Sequence, residues 1–219
     1  MFIGHFGVGF AAKKVTPKPS LGTLFFASQF VDLLWPLFLI LGWETVRIDI
    51  GNTVVTPLAF ENYPISHSLL AVIIWAAVFA GIYYLIRKDI KSTLWLGVLV
   101  LSHWVLDLIT HRPDLPLLPG FESVKVGLGL WNSLPGTLIL EVGIFLAGVY
   151  LYLRVTRAKD KTGTYAFWGL VFFLLLVYVN NLFGPPPPAV EPIGYVGLAQ
   201  WLLVAWGYWI DRHRTAVSE

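Results

Sequence analysis

The sequence predicts an all-α polytopic membrane protein with six transmembrane helices and a short N-terminal re-entrant or interfacial helix. Three observations predict it. Of the 219 residues, 57% are hydrophobic and 13% charged, whereas a soluble domain carries about 25% charged residues. Six stretches are long and apolar enough to cross a bilayer, at about 20 residues per span. The ten Trp and nine Tyr add amphipathic aromatics of the kind that collect at bilayer interfaces.

Taken in order, the first 12 residues form an apolar segment long enough to enter the membrane and too short to cross it. Their basic residues, Lys13 and Lys14, follow the apolar run instead of preceding it. That order is wrong for a cleaved signal peptide, so the segment is expected to belong to the mature protein. The spans are expected at about 22–42, 65–86, 93–111, 134–153, 164–183 and 193–210. Turn-rich loops at 43–64 and 112–133 separate them, and Asn132 or Ser133 supplies an N-cap to the fourth span. GPPPP at 184–188 cannot lie in a helix interior, because proline lacks the amide donor. It makes a stiff hairpin before the last span. No internal repeat divides the chain, and 1–219 reads as a single membrane domain.

Charge orients the bundle. Lys13, Lys14, Lys18, Arg87, Lys88, Lys91, Arg154, Arg157, Lys159, Lys161, Arg212 and Arg214 all fall on one side, and only Arg47, Arg112 and Lys125 on the other. Both termini are therefore expected in the cytoplasm of a multi-pass inner-membrane protein. The net charge of +2 is too small to suggest nucleic acid as a partner, and the absence of Cys removes disulfides and thiolate metal sites.

Ionisable residues inside spans are costly and mark interior or cavity positions. Here they are Asp32, His67, His103, Asp107 and Glu141, with His111 at a helix end and His5 in the short first segment. In SHWVLDLITHRPD (102–114), residues 103, 107 and 111 step by about 40° each around a helix and share a face. At about 1.5 Å of rise per residue, Asp32 lies about 15 Å from the cytoplasmic edge, and His103 and Glu141 about 12 and 10 Å from the outer edge. Residues from five segments thus fall at compatible depths in the middle and outer half of the membrane. Imidazole and carboxylate together suit zinc and several other divalent ions. We expect a divalent metal, zinc, held by Asp32, His67, His103 and Asp107, with His5 as a further ligand. Asp114 follows Pro113, which ends the regular helix and leaves its direction open.

These residues resemble a family of bacterial inner-membrane metal-dependent hydrolases, that of the LexA-regulated membrane-bound hydrolase of enteric bacteria. Its pattern is an early Gly-His, a P-D-x-D-H-P-like segment, an H-R-G-x-T-H-S segment and an S-H-x-x-x-D segment. Here Gly4-His5, VDLLWP (31–36), YPISHSLL (63–70) and SHWVLD (102–107) stand in that order over about the first 120 residues. Leu34 and Trp35 replace the second Asp and the His of the acidic segment, and Asn62, beside Glu61, replaces the first His of the third. These losses imply one metal instead of two, or a site that has lost its chemistry. His111 and Asp114 lie outside the pattern and could compensate.

The function expected is hydrolysis of a lipid-linked ester or phosphoester near the outer leaflet. Zinc lowers the pKa of its water to about 7, and Glu141 or His111 would serve as the general base. No phosphate-binding loop or Gly-x-Ser-x-Gly element points to an ATPase or a serine hydrolase. The same cluster could serve a cation or proton transporter or channel, or only pack helices in a non-catalytic structural protein. The orientation can be tested directly. Cysteines introduced at Asn52 and Ser123 should react with an impermeant thiol reagent on intact cells, once outer-membrane permeability is controlled. Labelling only after lysis would reverse the orientation.

Overall fold

The computed structural model describes residues 1–120 and 123–217. Ten α-helices make up most of it: α1 (Ile3–Val15), α2 (Leu21–Ser28), α3 (Phe30–Ile40), α4 (Pro64–His67), α5 (Leu69–Arg87), α6 (Ile90–Thr110), α7 (Leu134–Val155), α8 (Lys161–Phe183), α9 (Val190–Leu198) and α10 (Gln200–Arg212). Among the described residues, α5, α6, α7, α8 and the α9–α10 stretch are each long and apolar enough to cross a membrane. The fold is therefore multi-pass and mostly helical. Side-chain caps start several helices: Ser20 accepts from Thr23 N–H, Ser68 from Ala71 N–H, Ser133 from Gly136 N–H and Asp160 from Gly163 N–H. The expected cap at 132–133 is thus Ser133.

The stretch expected as one span at 22–42 is two helices. α2 and α3 meet at Gln29 with a bend of 58°, and Asp32 lies in the first turn of α3. No Gly or Pro marks the break in FFASQFVD. Pro36 sits inside α3 without ending it.

The loops at 43–64 and 112–133 also hold structure. Strands β1 (Thr45–Ile48) and β2 (Leu58–Asn62) pair antiparallel, as do β3 (Leu115–Pro116) and β4 (Lys125–Val126). A third ribbon joins β5 (Thr156–Ala158) to β6 (Arg214–Ala216) at the opposite end of the bundle. Loops 43–64 and 112–133 lie together, with Val55 N–H donating to Trp131 O and Lys125 Nζ to Glu61 O. At the other end, Asp211 joins several elements. Its carboxylate accepts from Lys13 Nζ (2.6 Å), Tyr152 OH (2.7 Å) and Leu21 N–H (2.8 Å), so one acid ties together α1, the start of α2, α7 and α10.

The element that positions the site is α1. Nine of its 13 residues are buried. Phe6 and Phe10 pack edge-on against Phe25 of α2, and Phe10 also meets Phe145 and Tyr152 of α7 and Phe167 of α8. Lipid tails are as apolar as these side chains, so close van der Waals approach must supply the packing energy between helices. Two glycines allow it. A Cβ on Gly148 of α7 would fall on the backbone of Gly7, and one on Gly7 on the backbone of Ile144 and Phe145. Gly143, on the same helix, faces nothing within 4 Å.

That contrast is testable. Gly148→Val should lower the thermal midpoint of the purified protein by an amount in keeping with the ~1–3 kcal/mol of overpacking. Gly143→Ala should leave it unchanged or raise it, since Ala exceeds Gly in helix propensity by ~1 kcal/mol. Equal midpoints for Gly148→Val and the parent would remove the backbone contact from the account.

Candidate metal centre

The sequence-predicted residues meet at one place. His103 and Asp107 lie one turn apart on α6, His5 enters from α1, Asp32 from α3 and His67 from the end of α4. Among the described residues, two groups have metal-ligand spacing: His5, His103 and Asp107, and Asp32, His67 and His103. All are buried except Asp32, whose side chain is 22% exposed. The centre therefore opens to its surroundings at Asp32.

The histidine ring nitrogens divide their work. His103 Nδ1 lies 2.8 Å from the carbonyl oxygen of Ser28. A carbonyl only accepts, so Nδ1 carries the proton and a neutral ring keeps its lone pair on Nε2. The break at Gln29 is what makes this bond available, since Ser28 is the last residue of α2. His67 Nδ1 lies 2.7 Å from Ser66 Oγ, which leaves His67 Nε2 facing inward.

Around these two Nε2 atoms stand two carboxylates. His67 Nε2 is 3.3 Å from Asp32 Oδ1 and 3.8 Å from Asp107 Oδ2. His103 Nε2 is 3.5 Å from Asp32 Oδ1 and 3.2 Å from Asp107 Oδ2. His103 Nε2 is fully buried yet meets hydrogen-bond geometry with no partner. Donors about 2.0–2.1 Å from a common tetrahedral centre stand about 3.3–3.4 Å apart, close to these four separations. Lone pairs aimed at carboxylates inside a bundle repel unless a positive charge lies between them. The donor set and its spacing fit a small divalent ion with nitrogen and oxygen ligands.

Asp107 uses its other oxygen differently. Oδ1 accepts from the Met1 ammonium (2.7 Å) and lies 3.1 Å from His5 Nε2. The His5 ring stacks on His103 with centroids 3.6 Å apart and planes within 4°. His5 thus flanks the four-donor set from the α1 side.

The two residues expected as bases lie outside the two ligand groups. Glu141 is buried on α7, and its Oε2 accepts from Phe2 N–H at 2.8 Å. It thereby satisfies an amide at the start of α1 that has no partner within the helix. His111 Nδ1 lies 2.9 Å from Asp114 Oδ1, which also accepts from Tyr63 OH at 3.1 Å. Phe60, Tyr63 and Trp131 wall in the His111 ring. Burial, followed by the Asp114 charge, pushes the Tyr63 phenol well above its ordinary pKa, so it remains a donor. Asp114 is thus a partner of His111, which settles the direction left open after Pro113. Sequence reasoning missed Ser28, which meets His103 across the bundle, Ser66, which meets its neighbour His67, and Glu44, which reaches Ser66 from the turn after α3.

A mostly helical, multi-pass chain with a buried His/Asp cluster where several helices meet is an integral membrane protein with a metal-capable centre. The chain belongs to the YdjM inner membrane protein family, whose model matches residues 3–184. The match spans α1 to α8 and includes every residue of the centre, in keeping with the motif resemblance. No curated protein matches the chain, and no solved structure does.

His103 limits how many ions the two groups could hold. With Nδ1 committed to Ser28, it has one lone pair, which the two residue groups share, so both cannot be filled through it. Protein purified without chelator should carry close to one equivalent of divalent metal per chain by elemental analysis. His103→Ala should abolish binding and His213→Ala should not. Two tightly held equivalents would overturn the shared-ligand argument.

Proposed function

We propose that the protein is a membrane-embedded hydrolase that holds one divalent ion, zinc by its donor set, between Asp32 Oδ1, His67 Nε2, His103 Nε2 and Asp107 Oδ2. The observation that carries this reading is the convergence of two imidazole Nε2 atoms, each within 3.2–3.8 Å of one oxygen of Asp32 and one of Asp107. When bound there, such an ion would supply Lewis acidity and acidify a bound water. The chain's own residues do the rest. Asp32 forms the exposed rim at which substrate arrives. Asp114 accepts from His111 Nδ1–H and leaves Nε2 as the proton acceptor, an arrangement suited to a general base. Glu141 goes to holding the start of α1, which carries His5 against His103.

The finer topology belongs to the same proposal. The broken α2–α3 pair counts as the first of six spans, and α1, about 20 Å long, enters the bilayer without crossing it. The excess of basic residues puts both termini in the cytoplasm. The centre then lies toward the outer leaflet, where an ester or phosphoester linked to a lipid is the substrate class within reach.

A second reading draws on the broken span that carries Asp32, since transporters build cation sites from discontinuous helices. Proteoliposome flux of protons or zinc separates it from hydrolysis.

The test of the leading reading is release of phosphate or fatty acid from a panel of lipid phosphates and lipid esters, with zinc-loaded protein. Activity should disappear on chelation and return with zinc. His111→Gln should retain metal and lower kcat by ~10²-fold or more. Glu141→Gln keeps a carbonyl for Phe2 N–H and should retain metal, fold and most activity. Loss of activity in Glu141→Gln with metal intact would transfer the base role to Glu141. Flux without hydrolysis would favour the transporter.

A further inference from the structure

Glu44 lies outside the matched motifs, in the turn after α3. Gly42, at φ +71°, turns the chain there, and the N–H groups of Trp43 and Glu44 both donate back to Phe38 O. The turn delivers the Glu44 side chain, 1% exposed, to α4. One carboxylate oxygen, Oε1, accepts from Ile65 N–H and Ser66 N–H, both at 2.7 Å. The other, Oε2, accepts from Ser66 Oγ–H at 2.6 Å.

We infer that Glu44 is a positioning residue for the metal centre, acting through Ser66 to set the proton position on His67. The inference rests on the metal reading above. The direction of each bond follows from proton bookkeeping. A carboxylate can only accept, so Ser66 gives its single proton to Glu44. Ser66 Oγ is then left with lone pairs toward His67 Nδ1, 2.7 Å away, and can only accept from it. His67 must therefore carry its proton on Nδ1 and keep its lone pair on Nε2, toward Asp32 and Asp107. Ligating histidines are commonly fixed in this way by an acceptor behind the ring. His103 has a main-chain carbonyl for this purpose, and His67 has the Glu44–Ser66 pair.

The relay makes a distinctive prediction for Glu44→Gln. The amide oxygen must stay on the two backbone N–H groups, which turns the NH2 toward Ser66 Oγ. Ser66 then accepts from Gln and donates its proton to His67 Nδ1. The imidazole proton moves to Nε2, where it blocks ligation, although shape and packing barely change.

Apo protein, full length in detergent, would be titrated with zinc alone, and the metal-free protein labelled with 15N-histidine for NMR. Glu44→Gln should weaken zinc binding by about 10–100-fold and switch the His67 signal from the Nδ1–H to the Nε2–H tautomer. Ser66→Thr retains the hydroxyl and should stay near the parent in both measurements. If Glu44→Gln does not fold, Ser66→Ala removes the hydroxyl while sparing the two backbone bonds to Glu44, and should also weaken zinc binding. A parent-like tautomer and affinity in Glu44→Gln, or unchanged affinity in Ser66→Ala, would overturn the relay. A parent protein that ignores zinc yet shows the tautomer switch would sink the metal reading and leave the relay standing.

Discussion

Two carboxylates face two imidazole Nε2 atoms inside a membrane bundle, and that arrangement is favourable only where a proton or a cation lies between them. In water the repulsion would be screened by solvent. In a site where three of the four donor side chains are nearly inaccessible, it is not. The positions of the main secondary-structure elements around the centre follow from keeping these donors in place. Each ring has an acceptor behind it, so the lone pairs cannot turn away, and each carboxylate comes from a helix whose position is fixed by packing.

The structural irregularities sit at these supports. The bend between α2 and α3 places the Ser28 carbonyl behind His103 and starts a new helix with Asp32 in its first turn. The one-turn α4 presents His67 with two amides and a hydroxyl gathered on Glu44. Backbone irregularity at membrane depth is tolerated only where other protein groups satisfy it, and here the satisfying groups are parts of the centre. The α1 helix depends on the same economy. Its glycine contact with α7 lets it lie deep enough for His5 to stack on His103, while Glu141 takes up an amide at its start. The α9 helix, beyond the family match, braces the opposite side. A Cβ on Gly194 or Gly197 would meet Ile40 or Pro36 of α3, the helix that carries Asp32.

Much of the centre was legible in the sequence because membranes make ionisable residues conspicuous. Asp32, His67, His103 and Asp107 stand out against apolar spans, and helical spacing with estimated depth brings them together. The supports were not legible for a physical reason. FFASQFVD contains no Gly or Pro, so nothing local marks the bend at Gln29 that frees the Ser28 carbonyl for His103. Glu44 reads as an ordinary loop acid, and nothing in the spacing shows that Gly42 turns it back toward α4. Glu141 and His111 were recognised as buried polar groups, but burial alone does not say whether a group reacts, caps a helix or orients another. The strand ribbons were missed because their segments are short and embedded in loops rich in turn residues.

The departures from the family motif gain meaning from the same geometry. Trp35, where the pattern has His, is buried with its ring 5.6 Å from Phe60. It fills with aromatic volume a position that could have held a donor. Asn62, at the lost histidine of the third element, is paired with Thr45 in the β1–β2 ribbon. Its neighbour Glu61 turns outward to Arg47, 2.9 Å away on an exposed surface, and cannot replace the missing ligand. His111 and Asp114, the remaining candidates for compensation, are committed to each other. Each route to a second full ligand set is closed by a different contact, while Asp32, His67 and Asp107 stay gathered about His103. That asymmetry is what supports the proposal of a single ion over a pair.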